Sequence, residues 1–192
     1  MKPVIQKCSP ALPPVEIRTV FRYARGVPDE VTEALLREII REAAPLLDPR
    51  ICYLECPVTL SGDRVDFGVC QVTSRDLAAH LTGYRSAVLF AATIGAKADL
   101  MISRFARFSP AKELLADAYF TERAEALCDT FTAKYNRPQR RFSPGYGDLP
   151  LEFQRVLFDI LDCPRSIGLT LGENLLMMPT KSVTAVIGRK EF

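Results

Sequence analysis

The chain has 192 residues, 48% of them hydrophobic and 25% charged, which is ordinary for a globular protein and long enough for one sizeable core. Its formal net charge is +2, and the only local basic cluster is Arg137, Arg140 and Arg141. That cluster suits a single carboxylate or phosphate rather than a polyanion, so nucleic acid is not an expected partner.

No run of about 20 apolar residues offers a membrane span. The first residues, MKPVIQKCSPALPPVEIR, meet proline and charge before any apolar core of signal-peptide length. A cytoplasmic location without a membrane partner is therefore expected. Cys8, Cys52, Cys56, Cys70, Cys128 and Cys163 read as reduced thiols in such a chain. Cys52 and Cys56 lie in an extended run, where a four-residue step separates them by about 13 Å on one face, too far to clamp a metal. No metal site is expected.

Residues 1–15 are proline-rich and aperiodic and read as a loosely ordered N-terminal arm, with the domain proper spanning 16–192. Glu16 to Tyr23 reads as extended. A helix follows from about Asp29 to Ala44, with Pro28 near its start, acidic residues in its first turn and Pro45 after it. Its apolar residues Val31, Leu35, Ile39 and Ala43 recur every four positions. Tyr53–Leu60 and Val65–Val72 suggest a hairpin across Ser61-Gly62-Asp63-Arg64.

A short helix capped by Thr73 or Ser74 ends at Gly83. Ser86–Thr93, SAVLFAAT, reads as a strand buried on both faces. Helices are expected over Gly95 to about Arg107 and, with Ser109 as cap and Pro110 at the first position, from there to about Lys134. Pro150–Asp162 is amphipathic at helical spacing. The tail holds three extended runs, Ser166–Leu171, Glu173–Met178 and Ser182–Ile187. The fold class is α+β, a single domain with a mixed or antiparallel twisted sheet flanked by helices.

Signatures of catalysis are missing: there is no G-x-G-x-x-G, Walker loop, H-E-x-x-H or G-x-S-x-G. His80 is the single histidine, so a His-based metal site or a Ser-His-Asp triad is not expected, and no catalytic residue is assigned. The segment that stands out is RRFSPGYGDLPLEFQ, Arg140 to Gln154. Pro144 fixes one φ, while Gly145 and Gly147 admit positive φ and close approach of backbone to a ligand. Tyr146 offers a ring and a phenol, and Arg141 a forked cation matched to a carboxylate. The helix that follows would turn free N–H groups toward bound negative charge. A tight turn carrying a packed tyrosine explains the same composition.

The order of motifs extends this. Arg141-Phe-Ser-Pro-Gly-Tyr-Gly147 precedes an amphipathic helix, then Ile167-Gly-Leu-Thr-Leu-Gly-Glu-Asn174, Met177/Met178-Pro179 and Lys181-Ser182-Val183. This succession resembles the activation domain of cobalamin-dependent methionine synthase, strongly over Arg141 to Ile187 and faintly upstream, through Ala124–Leu127. The resemblance implies S-adenosylmethionine as cofactor and a role in reductive remethylation of cobalamin on a separate methionine synthase.

By the same resemblance Arg141 holds the ligand carboxylate, Ser143 and Gly145 are backbone contacts, and Tyr146 is the loop tyrosine. Glu125, or Glu122 in its stead, and Glu173 match acidic or motif positions. Gly172 and Asn174 replace the family's usual Thr and Ser, and no D-x-H-x-x-G cobalt-ligating motif is present. Cobalamin would thus be reached only through a partner: a cobalamin-binding methionine synthase or other corrinoid protein, with a flavodoxin or ferredoxin as electron donor. The chain would be an accessory domain rather than a catalyst. A corrinoid-dependent methyltransferase component, or an adaptor that keeps the fold without the ligand, are the alternatives.

Overall fold

The computed structural model describes residues 4–135 and 141–189; Arg137 and Arg140 lie outside the described residues. A four-stranded antiparallel sheet forms the centre, built from β1 (Gln6–Cys8), β2 (Arg50–Pro57), β6 (Ser86–Thr93) and β9 (Ser182–Arg189) in the order β1-β2-β6-β9. Chain order between β2 and β6 is filled by β3 (Thr59–Ser61), β4 (Arg64–Asp66) and β5 (Gln71–Thr73), which make a small antiparallel sheet of their own. The mixed sheet left open by the sequence is thus antiparallel throughout.

Helices cover both faces of the central sheet, and the two-residue period of the strands assigns each side chain to one of them. Ile51, Tyr53, Val88, Phe90, Ala92, Ala185 and Ile187 join the core under α1 (Ile17–Tyr23), α2 (Glu30–Ala43), α4 (Lys97–Ala106) and α5 (Pro110–Ala133). Cys52, Leu54, Cys56, Ala87, Leu89, Ala91 and Val186 face α3 (Arg75–His80), α6 (Phe153–Ile160) and α7 (Cys163–Ile167). This double cover explains SAVLFAAT: every residue of β6 is buried.

Local signals account for most boundaries. Asp29 caps α2, accepting from the Thr32 amide at 2.7 Å while Thr32 Oγ1 accepts from the Asp29 amide at 3.0 Å. Ser74 Oγ accepts from the Leu77 amide at the head of α3, and Ser109 with Pro110 opens α5. That 24-residue helix runs across the sheet and buries residues as diverse as Phe120, Glu122, Arg123 and Phe131.

Four expectations change. Glu16–Tyr23 is not extended: Ile17–Tyr23 is a helix whose Val20 and Phe21 pack into the core, a three- and four-residue spacing too short to read against a β-branched run. The N-terminal segment is not loose along its length. Gln6–Cys8 pairs with β2 as an edge strand, and the buried Arg123 donates to the carbonyls of Pro13 and Pro14 at 2.6 and 3.3 Å. The hairpin across Gly62-Asp63 forms, but it pairs only Thr59–Ser61 with Arg64–Asp66, because Arg50–Pro57 is claimed by the central sheet. In the tail, Ser166 lies within α7, so only Thr170–Leu171 (β7) and Met177–Met178 (β8) pair before β9. Pro164 near the start of α7 and Gly168 in the left-handed region behind it are helix punctuation that the extended reading passed over.

Candidate ligand-binding site

The segment after Arg140 is fixed by a single two-residue pairing. Phe142 donates to the Val186 carbonyl at 3.0 Å and accepts from the Val186 amide at 2.8 Å, laying it against the free edge of β9. The Phe142 ring packs against His80, with centroids 5.2 Å apart, and against Tyr146 at 6.2 Å. Because side chains alternate along an extended segment, anchoring Phe142 on one side sends Arg141 and Ser143 to the other. Both line a cavity of about 950 Å³.

The next residues fold back on themselves. The Tyr146 amide donates to the Ser143 carbonyl at 3.0 Å, closing a turn, and the Gly145 amide donates to the Leu149 carbonyl at 2.9 Å. Gly145 has φ +87°, and a Cβ there would stand 3.4 Å from Leu151. Gly147, at φ +52°, approaches Asp76 of α3 so closely that a Cβ would fall 2.3 Å from a carboxylate oxygen. The next residue, Asp148, caps α3: it accepts from Ser74 Oγ at 2.5 Å and from the Arg75 and Asp76 amides at 2.9 and 3.1 Å. Those bonds, the Ser74 hydroxyl first, hold its carboxyl below the ordinary 3.8.

Across the cavity stands the C-terminal half of α5. Glu125 and Asp129 lie one turn apart and both engage Arg141, whose Nη1 donates to Asp129 Oδ1 at 2.8 Å and whose Nη2 pairs with Glu125 Oε2. The Arg141 side chain is 15% exposed, while those of Glu125 and Asp129 are 39% and 76% exposed. Thr132 and Ala133 extend this wall, Met177 and Gln154 form another, and Ser182, Val183 and Thr184 of β9 close the floor. The Ser182 hydroxyl is held by Thr93 Oγ1 and the Pro179 carbonyl, both at 2.8 Å. Cys128 sits buried behind the acidic pair, its thiol pushed up to about 12 by burial, so it is no nucleophile at neutral pH.

Of the residues singled out by sequence, Glu125, Arg141, Ser143 and Tyr146 converge on this cavity. Gly145 does not line it: its amide is spent on Leu149 and its open side faces Leu151. Glu173 is exposed and also stands off the wall, offering its carbonyl to Arg155 at 2.6 Å. Glu122 does not line the cavity: it lies one turn before Glu125 on α5, and its carboxylate is engaged elsewhere. It pairs with Arg123 at 2.5 Å and accepts from the Glu16 amide at 3.2 Å, both side chains of the pair being almost wholly buried. Of the N–H groups at the start of the following helix, those of Phe153, Gln154 and Arg155 are not offered to an anion, because they donate to the Pro150, Leu151 and Glu152 carbonyls.

Asp129, Thr132, Gln154 and Thr184 were missed by the sequence reading. Asp129 carried a usable signal, four residues beyond Glu125 on one helix face; the others become neighbours only through folding.

Residues 116–191 match the family described as vitamin B12 dependent methionine synthase, activation domain. Among solved structures, the fold is similar to that of the MetH reactivation domain bound to AdoHcy, with a TM-score of 0.65 and 15% identity, covering 98% of this chain and 80% of that one. No curated protein matches. The matched segment includes every lining residue of the cavity, from Glu125 through Thr184.

Proposed function

We propose, for a chain whose residues 116–191 match the activation-domain family of vitamin B12 dependent methionine synthase, that the cavity between α5, the Arg141–Tyr146 segment and β9 binds S-adenosylmethionine. The bound methyl donor would serve reductive remethylation of cobalamin held by a partner methionine synthase or other corrinoid protein.

The observation that carries this reading is the charge arrangement at one end of the cavity. A buried guanidinium flanked by two carboxylates complements an amino-acid zwitterion: Arg141 takes the carboxylate in a forked pair, and Glu125 or Asp129 takes the ammonium. Within the protein Arg141 is paired with both carboxylates, so its sheltered cation is not left without a partner. The remaining wall, with Pro144, Tyr146, Met177 and Val183 among apolar and aromatic groups and Gln154, Ser182 and Thr184 among polar ones, suits a nucleoside. The volume falls in the usual range of about 300–1,000 Å³ for small-molecule sites.

The described lining carries no histidine, His80 packing against Phe142 instead, and the Cys128 thiol is held protonated behind the acidic pair. The chain's own contribution is therefore to hold and orient the donor, excluding water from one side of it, while a reduced corrinoid supplies the nucleophile. The comparison structure carries AdoHcy, the demethylated form of such a donor, in a similar fold.

The role is tested by mixing the chain with a cobalamin-loaded methionine synthase lacking its own activation module, an electron donor such as flavodoxin or ferredoxin, and labelled S-adenosylmethionine. Label is expected in methylcobalamin only when the chain is present, and not with Arg141→Ala. Binding of the ligand without any label transfer to a corrinoid would support an adaptor or another methyltransferase component instead.

A further inference from the structure

Gln154 is the polar group on the cavity wall that charge recognition does not employ. It sits in the first turn of α6 and is 95% buried, with 5% relative exposure. Its Nε2 donates to the Leu175 carbonyl at 3.0 Å. That bond fixes which end of the amide is which, since a carbonyl can be met only by the NH2 side. Oε1 is left as an acceptor with no partner among the described residues, and it is not sealed inside the protein. A side chain so deeply buried that still exposes its acceptor, and that lines the cavity, opens that acceptor on the cavity. A wall that keeps a sheltered carbonyl oxygen without a protein donor favours any ligand that returns the hydrogen bond.

From this we infer that Gln154 is a specificity-determining residue: its Oε1 accepts a hydrogen bond from a neutral N–H or O–H donor on the nucleoside half of the ligand. The inference rests on the reading of the cavity given above. The zwitterion is matched by Arg141, Glu125 and Asp129, and a neutral amide adds nothing for an ammonium that two carboxylates already serve. On an S-adenosyl ligand the neutral donors are the 6-amino group and the 2′- and 3′-hydroxyls. The tether to Leu175, which lies in the β7–β8 loop with φ +64°, holds the amide in one orientation, so the acceptor is preset rather than recruited.

The test is calorimetric titration of the full chain and of Gln154→Leu with S-adenosylhomocysteine and three analogues, one lacking the 6-amino group, one the 2′-hydroxyl and one the 3′-hydroxyl. Gln154→Leu is expected to bind the parent ligand about 10-fold more weakly, the size of one neutral hydrogen bond. One analogue should lose a similar factor on the unaltered chain and nothing further on the variant.

Equal losses for every analogue on Gln154→Leu relative to the unaltered chain would mark a merely structural residue and overturn the inference. So would parent affinity within twofold of normal, or undiminished binding of all three analogues by the unaltered chain, a result that needs no variant to fold. If the unaltered chain binds no S-adenosylhomocysteine at all, the cavity reading itself fails, which is distinguishable from failure at Gln154 alone.

Discussion

Arg141 donates to Asp129 across 2.8 Å, a bond between a residue pinned to a strand edge and one on the long helix opposite. With Glu125 on the same guanidinium, it joins the two walls of the cavity through the groups that would receive the ligand. Binding must therefore exchange internal ion pairs for external ones. The net gain comes from a zwitterion that satisfies both signs, and a simple carboxylate would leave the two acids uncompensated.

Glu125 and Asp129 should accordingly be unequal. Glu125 is the more sheltered, at 39% against 76% side-chain exposure, and charge pairs weaken with exposure. Glu125→Gln is expected to lower affinity for S-adenosylmethionine by about 10-fold or more, and Asp129→Asn by only about two- to threefold. Titration with a desamino analogue provides the check, because its affinity should be nearly indifferent to Glu125→Gln.

Glu122 provides the opposite contrast on the same helix. With Arg123 it forms a pair whose side chains are 5% and 3% exposed, holding the Glu16 amide and the Pro13 and Pro14 carbonyls. Arg123→Met, which strands Glu122 as a buried charge, should cost about 3–5 kcal/mol, read in chemical denaturation. Any of the variant that remains folded should bind the ligand with normal affinity, since neither residue touches the cavity.

Gly147 is constrained by backbone and by space at once. Gly147→Ala forces a side chain into φ +52° and against Asp76, so a loss of about 1–3 kcal/mol is expected. The measurement is the shift in Tm. Because Asp148 caps α3 beside it, hydrogen exchange should show weaker protection at the head of that helix.

His80 makes stability depend on pH. Burial lowers its pKa below the ordinary 6.5, so the unfolded chain takes up its proton first as pH falls. Its contribution to stability is fully present above about pH 6.5 and is lost progressively below that value, down to the folded pKa. Tm measured from pH 8 to pH 5 should fall over the acidic part of this window, and His80→Gln should flatten that part of the curve.

Much of this architecture was legible in the residues. Ser109-Pro110, Asp29 with its acidic first turn, and the unbroken apolar run of β6 name their elements because caps and burial are local or periodic signals. The extended reading of Ile17–Tyr23 failed where seven residues give barely two turns of period. Site residues divide along the same line. Arg141 and Tyr146 are adjacent in one motif, whereas Gln154 and Thr184 meet the cavity only because Phe142 docks on Val186. The glycines were read as openings toward a ligand, yet they permit close packing against Leu151 and Asp76. Positive φ reports the need for space without naming the occupant.

The central claim is that this cavity binds S-adenosylmethionine through Arg141, and isothermal titration of the unaltered chain beside Arg141→Ala tests it most directly. The account predicts saturable one-to-one binding by the unaltered chain and a loss of about 2–4 kcal/mol in the variant, as expected when one partner of a sheltered charge pair is removed. An absence of binding heat from the unaltered chain at millimolar ligand, or equal affinity in the two proteins, would contradict it.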